Sequence, residues 1–125
     1  MSDFNNVSLI GRLTADPQNR YTQGGTEVSE FSIANNYYSN NKNEVNYFNI
    51  AAFGKLAGTA NKYLTKGKQV LISGALRQER WQDRHTGKTQ SKVIIILQSM
   101  QMLADVKDSK NENNQNNENT EEVPF

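Results

Sequence analysis

The chain has no cysteine, which excludes disulfides, zinc–thiolate sites and cysteine nucleophiles. It has one histidine, His85, in the turn-like run His85-Thr86-Gly87-Lys88. A solvated imidazole there lacks the neighbours that a general base or a metal ligand needs. It has no phosphate-binding glycine loop, nucleophile elbow or metal-spaced cluster. Gly24-Gly25 is too weak a signal for a nucleotide loop, and Asp16 before Pro17 serves a turn. No apolar run is long enough to span a membrane, and the start Met1–Asn6 has neither a basic stretch nor an apolar one. These absences predict a soluble cytoplasmic binding protein without a cofactor, a metal or catalytic residues.

With 125 residues there is room for one domain, and a domain near 100 residues buries about two-thirds of its unfolded surface. The formal net charge of +1 conceals an asymmetry. Residues 1–105 carry +4, whereas residues 106–125 carry −3 and hold no apolar residue between Val106 and Val123. The tail cannot repay its ordering entropy by burial, so a folded domain over 1–105 and a disordered, acidic, Asn-rich tail over 106–125 are expected. A basic body suits a polyanion partner.

Val45–Phe53 organises the domain. Side chains alternate across a strand. Phe48, Ile50 and Ala52 therefore form a core face, while Tyr47, Asn49, Ala51 and Phe53 share the other. Two rings on a wet face suggest that something flat stacks on them. Asn5–Leu13 reads as a first strand. Thr26–Asn36 reads as a second, whose apolar spacing slips between Val28 and Phe31-Ile33 as a bulge would make it. Tyr37–Glu44 reads as a polar loop. Leu56–Lys66 has helical spacing in Leu56, Ala57, Ala60, Tyr63 and Leu64, with Gly67 suited to the C′ position. Lys68–Trp81 is a long strand that Gly74 allows to bend, and Ser91–Leu103 is the last strand.

Three strands, one short helix and two strands match an all-β, five-stranded Greek-key barrel of the OB type, a fold that binds oligonucleotides on a strand face. Trp81 and Arg77 share a face of the long strand, and Arg80, Arg84, Lys88 and Lys92 are close in sequence. Rings interleaved with cations suit single-stranded nucleic acid. Bases stack with little sequence preference at about 1–3 kcal/mol each, and phosphate contacts add a salt-dependent term.

The residues that carry this pattern also resemble a known family. Val7–Leu13, Asp16-Pro17, Arg20–Thr22, Phe53–Ala57, Tyr63-Leu64 with Lys66-Gly67, Leu76-Arg77, Arg80–Asp83 and Met100–Leu103 are similar to segments of bacterial and phage single-stranded DNA-binding proteins. The terminal Glu121-Glu122-Val123-Pro124-Phe125 resembles that family's acidic tip. The resemblance implies an OB fold, a homotetramer and binding of single-stranded DNA without catalysis. It places stacking on Tyr47, Phe53 and Trp81, with Tyr38 the best candidate for a fourth ring and Ser39 the alternative aligned position. It places basic contacts on Arg20, Lys55, Lys66, Arg77 and Arg80; the strand reading adds Arg12. Tyr47 stands where many members carry Trp, and Glu79 puts a negative charge beside Trp81. The implied roles are protection of single strands in replication, recombination and repair, in a bacterial cell or a phage-infected host. The tip would recruit replication and repair proteins. An RNA-binding OB module, or an adaptor whose rings form a protein interface, are the alternatives.

Overall fold

The computed structural model describes residues 2–103. It contains β1 (Val7–Leu13), β2 (Gln18–Tyr21), β3 (Glu27–Ser39), β4 (Lys42–Phe53), α1 (Lys55–Tyr63), β5 (Gln69–Gln82) and β6 (Thr89–Met102). The strands pair in the order β1-β5-β6-β4-β3, and β3 returns to β1 through Arg12↔Ala34 and Leu13↔Ile33. Five strands thus close an OB-type barrel, as the alternation predicts. The β4–β6 contact is parallel, at Ile50↔Ile95 and Ala51↔Ile96, and the other ladders are antiparallel.

The core is supplied strand by strand. Ile33 on β3, Ile50 on β4, Ile72 on β5 and Ile95 on β6 are each at most 2% exposed, with Val70, Leu13 and Phe31 around them. Burying such a side chain stabilises the fold by about 1.5–3 kcal/mol. α1 closes the barrel base with Ala57, Ala60 and the following Leu64, all buried. No described helix is long and apolar enough to cross a membrane.

Several expectations need correction. Four exposed residues, Gln18–Tyr21, form the extra strand β2 on the edge of β3. The helix therefore follows the fourth strand of the chain, while still lying between the third and fourth strands of the barrel. Tyr37–Glu44 is not a loop. β3 and β4 pair without a register break from Val28↔Phe53 to Ser39↔Lys42, and only Asn40 and Asn41 turn. Both asparagines have positive φ, 52° and 61°, as the type I′ turn of a two-residue hairpin requires. The bulge foreseen in the second strand is absent. Val28 and Phe31 are buried on opposite sides of a regular strand. The register shift lies instead at Ser73/Gly74, where β6 inserts Gln98. A Cβ on Gly74 would lie 2.1 Å from the Ile96 carbonyl oxygen, so only glycine lets the strands approach there. The helix ends at Tyr63 with Leu64 as C-cap, and Tyr63 is exposed rather than packed. Gly67, φ 87°, serves the following turn and donates its N–H to the Leu13 carbonyl.

Candidate nucleic-acid interface

The site is built by strand parity. Phe31↔Ile50 and Ile33↔Phe48 point inward, so Ala34↔Tyr47, Val28↔Phe53 and Tyr38↔Asn43 point outward. Tyr38, Tyr47 and Phe53 therefore share one outer face. Tyr47 and Phe53, six residues apart on one strand, stand about 20 Å apart. Tyr47 and Tyr38 are both about two-thirds exposed. Phe53 is partly covered. The Tyr38 hydroxyl donates to Asn41 Oδ1 at 3.3 Å, which ties its ring to the hairpin turn. Tyr37 lies on the opposite side of the arm.

Two rows cross this face with the same composition. In one, Arg12 on β1 pairs with Ala34, which pairs with Tyr47. In the other, Arg20 on β2 pairs with Val28, which pairs with Phe53. Each row sets an arginine and a ring on either side of an apolar residue, about 10 Å apart. Arg12 is steadied by donation from Nη1 to the Gly67 carbonyl at 3.0 Å. Arg20 Nη2 donates to Glu30 Oε2, also at 3.0 Å, and the two form an ion pair on the exposed surface. The hydrogen bond from Arg20 holds the Glu30 carboxyl below its ordinary range, and Glu30 in turn raises the Arg20 guanidinium.

Between the rows runs an open groove of about 340 Å³. Glu30 and Ser32 on β3, Asn49 and Ala51 on β4, and Lys92 and Ile94 on β6 line it. Ala51, which alternation groups with the rings, is buried and forms groove floor. Glu79 on β5 and the Thr14–Gln18 segment also border the groove.

The β5–β6 hairpin continues the face. Arg77↔Ile94, Glu79↔Lys92 and Trp81↔Gln90 point outward with it. Trp81 is about half exposed, and the cation over its ring is Lys92, with Nζ 5.9 Å from the centroid. Arg80 lies on the other side of the hairpin and donates to Gln78 Oε1 at 2.7 Å. Lys55, the first residue of α1, and Lys66, just past the helix, are exposed at the base. The Lys66 backbone N–H donates to Asp16 Oδ1 at 2.8 Å.

The structure thus brings Tyr38, Tyr47, Phe53, Trp81, Arg12, Arg20 and Arg77 onto one face and leaves Arg80 off it. The Glu121–Phe125 tip lies outside the described residues. Sequence reasoning named Lys92 only as one of a group of cations near Trp81, and gave no role to Glu30 or Ile94. Counting back across the turn at Asp83–Lys88 places Lys92 opposite Glu79 and beside Trp81, so that signal was present. Among the described residues no three His, Cys, Asp or Glu side chains converge as metal ligands do. His85 sits exposed in the turn and donates its backbone N–H to Asp83 Oδ1.

Residues 4–103 match the model of the single-strand binding protein family. The chain belongs to that family. Members of the single-strand binding protein family are non-enzymatic, and this protein is not an enzyme. It is 45% identical over 108 residues to the single-stranded DNA-binding protein of Borreliella burgdorferi, covering 83% of this chain and 72% of the relative. It is 40% identical over 110 residues to that of Treponema pallidum, covering 85% and 61%. The chain thus spans about three-fifths of the length of the second relative. Among solved structures, the Plasmodium falciparum SSB in complex with ssDNA superposes with a TM-score of 0.76 at 25% identity, over 83% of this chain and 98% of that one.

Proposed function

We propose that the protein binds single-stranded DNA largely without regard to sequence, and that it protects such strands in replication, recombination and repair. The observation that carries this reading is the single outer face on which Tyr38, Tyr47, Phe53 and Trp81 alternate with Arg12, Arg20 and Arg77. Phosphates would meet the cations and bases would stack on the rings, with Lys55 and Lys66 extending the basic surface at the base of the barrel. Arg80 would act from the other side of its hairpin. Because the protein engages the strand and not the duplex, mass action holds DNA open. Nothing is consumed, and no cofactor takes part.

A homotetramer in the cytoplasm of a bacterium or a phage-infected host goes with this reading. The Val7–Leu9 stretch of β1 pairs with β5 on one side and lies beyond the cover of β3, which begins where the Ile10 carbonyl accepts from Asn35 Nδ2 and continues as pairing from Arg12. That open edge supports assembly of copies. The Glu121–Phe125 tip would offer acidic and aromatic side chains to partner proteins.

The test is titration of Trp81 fluorescence with a poly-pyrimidine strand. Saturable quenching that salt reverses is expected. No quenching and no gel shift would replace this reading with the adaptor. A chain lacking Val123–Phe125 should quench equally yet capture no replication or repair protein; retained capture would remove the tip's role. Sedimentation as a monomer with and without DNA would remove the tetramer.

A further inference from the structure

The groove holds two glutamates in different states. Glu30 is held by Arg20 at 3.0 Å. Glu79 stands directly opposite Lys92 in the β5–β6 ladder, yet among the described residues the only ion pair within 4.0 Å is Arg20–Glu30. Lys92 Nζ is placed over the Trp81 ring instead. Glu79 is exposed at the groove wall, on the same side as Trp81 and about 7 Å from it along the strand. On its other side the same face presents Arg77, and across the groove lie Asn49 and Ser32.

An ionised carboxylate only accepts hydrogen bonds. It repels phosphate, and Arg77 along the strand and Lys92 across the ladder draw the backbone to themselves. The part of a strand that suits Glu79 is therefore a base edge that can donate. Asn49 and Ser32 can both donate and accept, so they do not discriminate between bases, but Glu79 does. A cytosine presents an N4 amine to it, and a thymine presents O4, a second acceptor.

We propose that Glu79 is a specificity-determining residue: it selects, at the position next to Trp81, bases that carry an exocyclic amine, and so favours cytosine over thymine. The proposal rests on the reading that the ringed face binds single-stranded DNA, and it adds a graded base preference to it.

The test compares the full chain with Glu79→Gln on oligo-dC and oligo-dT of equal length, in one buffer, by anisotropy of an end-labelled strand. Glutamine keeps the size and removes the charge, and the position is exposed, so folding is not at issue. Both strands should bind Glu79→Gln more tightly. The ratio of dT to dC dissociation constants should fall by about three- to tenfold relative to the unmodified chain. Glu44→Gln, an exposed change on the opposite side of the β3–β4 arm, should leave that ratio where it was. An unchanged ratio in Glu79→Gln overturns the proposal while single-strand binding stands. Failure of the unmodified chain to bind either strand overturns the functional reading beneath it.

Discussion

The β3–β4 and β5–β6 hairpins begin alike and end differently. Each leaves the barrel as a partly buried ladder and finishes as an exposed arm. The β3–β4 ladder holds one register throughout, turns on two asparagines and has Lys42 as its one cation. Its outer face carries three rings. The β5–β6 hairpin shifts register at Gly74 and carries Arg77, Arg80 and Lys92 on its strands and Arg84 and Lys88 in its turn, with one ring, Trp81. Stacking surface is concentrated on one hairpin and positive charge on the other, and the groove lies where they meet. A nucleic acid crossing the face would meet more rings on the first hairpin and more cations on the second.

The largest test of this contrast attacks the kink that only one hairpin has. Gly74→Ala places a methyl 2.1 Å from the backbone oxygen of Ile96 and 3.0 Å from its carbonyl carbon, with Ile95 Cγ2 at 3.1 Å. None of these atoms is the end of a flexible side chain, so the ladder must part. Overpacking costs about 1–3 kcal/mol, and a contact against backbone belongs at the upper end of that range. Denaturant unfolding should show the loss as a lower midpoint. A midpoint unchanged within error would mean that the β5–β6 hairpin does not depend on the close approach at Gly74.

A smaller effect separates the two hairpins by function. Tyr47→Ala removes a ring from the ring-rich hairpin and Arg77→Ala removes a charge from the basic one. The first should weaken single-strand binding by about 1–3 kcal/mol while leaving its salt dependence intact. The second should lower the slope of log affinity against log salt by about 0.7, the share of one phosphate contact. Equal slopes for both variants would remove the division of labour, and an unchanged affinity for Tyr47→Ala would assign that ring to an interface.

How much of this was legible follows from what burial does to a sequence. The barrel could be read because its strands bury one face, so Val45–Phe53 and Lys68–Trp81 alternate, and Gly74 marks the bend. The arm from Tyr37 to Glu44 could not, because past the barrel both its faces are wet and no apolar period survives. Its backbone ladder and the Asn40–Asn41 turn hold it, and that asparagine pair was the available clue. β2 is four exposed residues, too short to carry a period. Val28 imitated a bulge because it is buried on the outer side, in the row between Arg20 and Phe53. Leu64 lengthened the helical pattern because it is buried as the cap. The rings and most cations of the site were readable as residue types. Their gathering into two arginine–ring rows was not, since β1 and β2 reach β3 through separate registers.

The smallest expected effect concerns the cation on the ringed side that is already in an ion pair. Arg20 shares the Phe53 row, and Glu30 occupies it in the absence of DNA. Both side chains are about half exposed, so the pair is weak enough for a phosphate to displace. Glu30→Gln should free Arg20 and tighten binding by about two- to fivefold at low salt, with the gain vanishing at high salt. Acid should act in the same direction. The Arg20 hydrogen bond holds the Glu30 carboxyl below its ordinary value of 4.5. The stability that the ion pair adds is therefore present above pH 4.5 and is lost as pH falls through the lower folded value. Over that acid window the affinities of the unmodified chain and of Glu30→Gln should converge, because protonation makes Glu30 neutral as the substitution does. If the two differ by the same factor on both sides of the window, Glu30 acts by shape rather than by charge, and Arg20 is no more restrained before binding than Arg77 is.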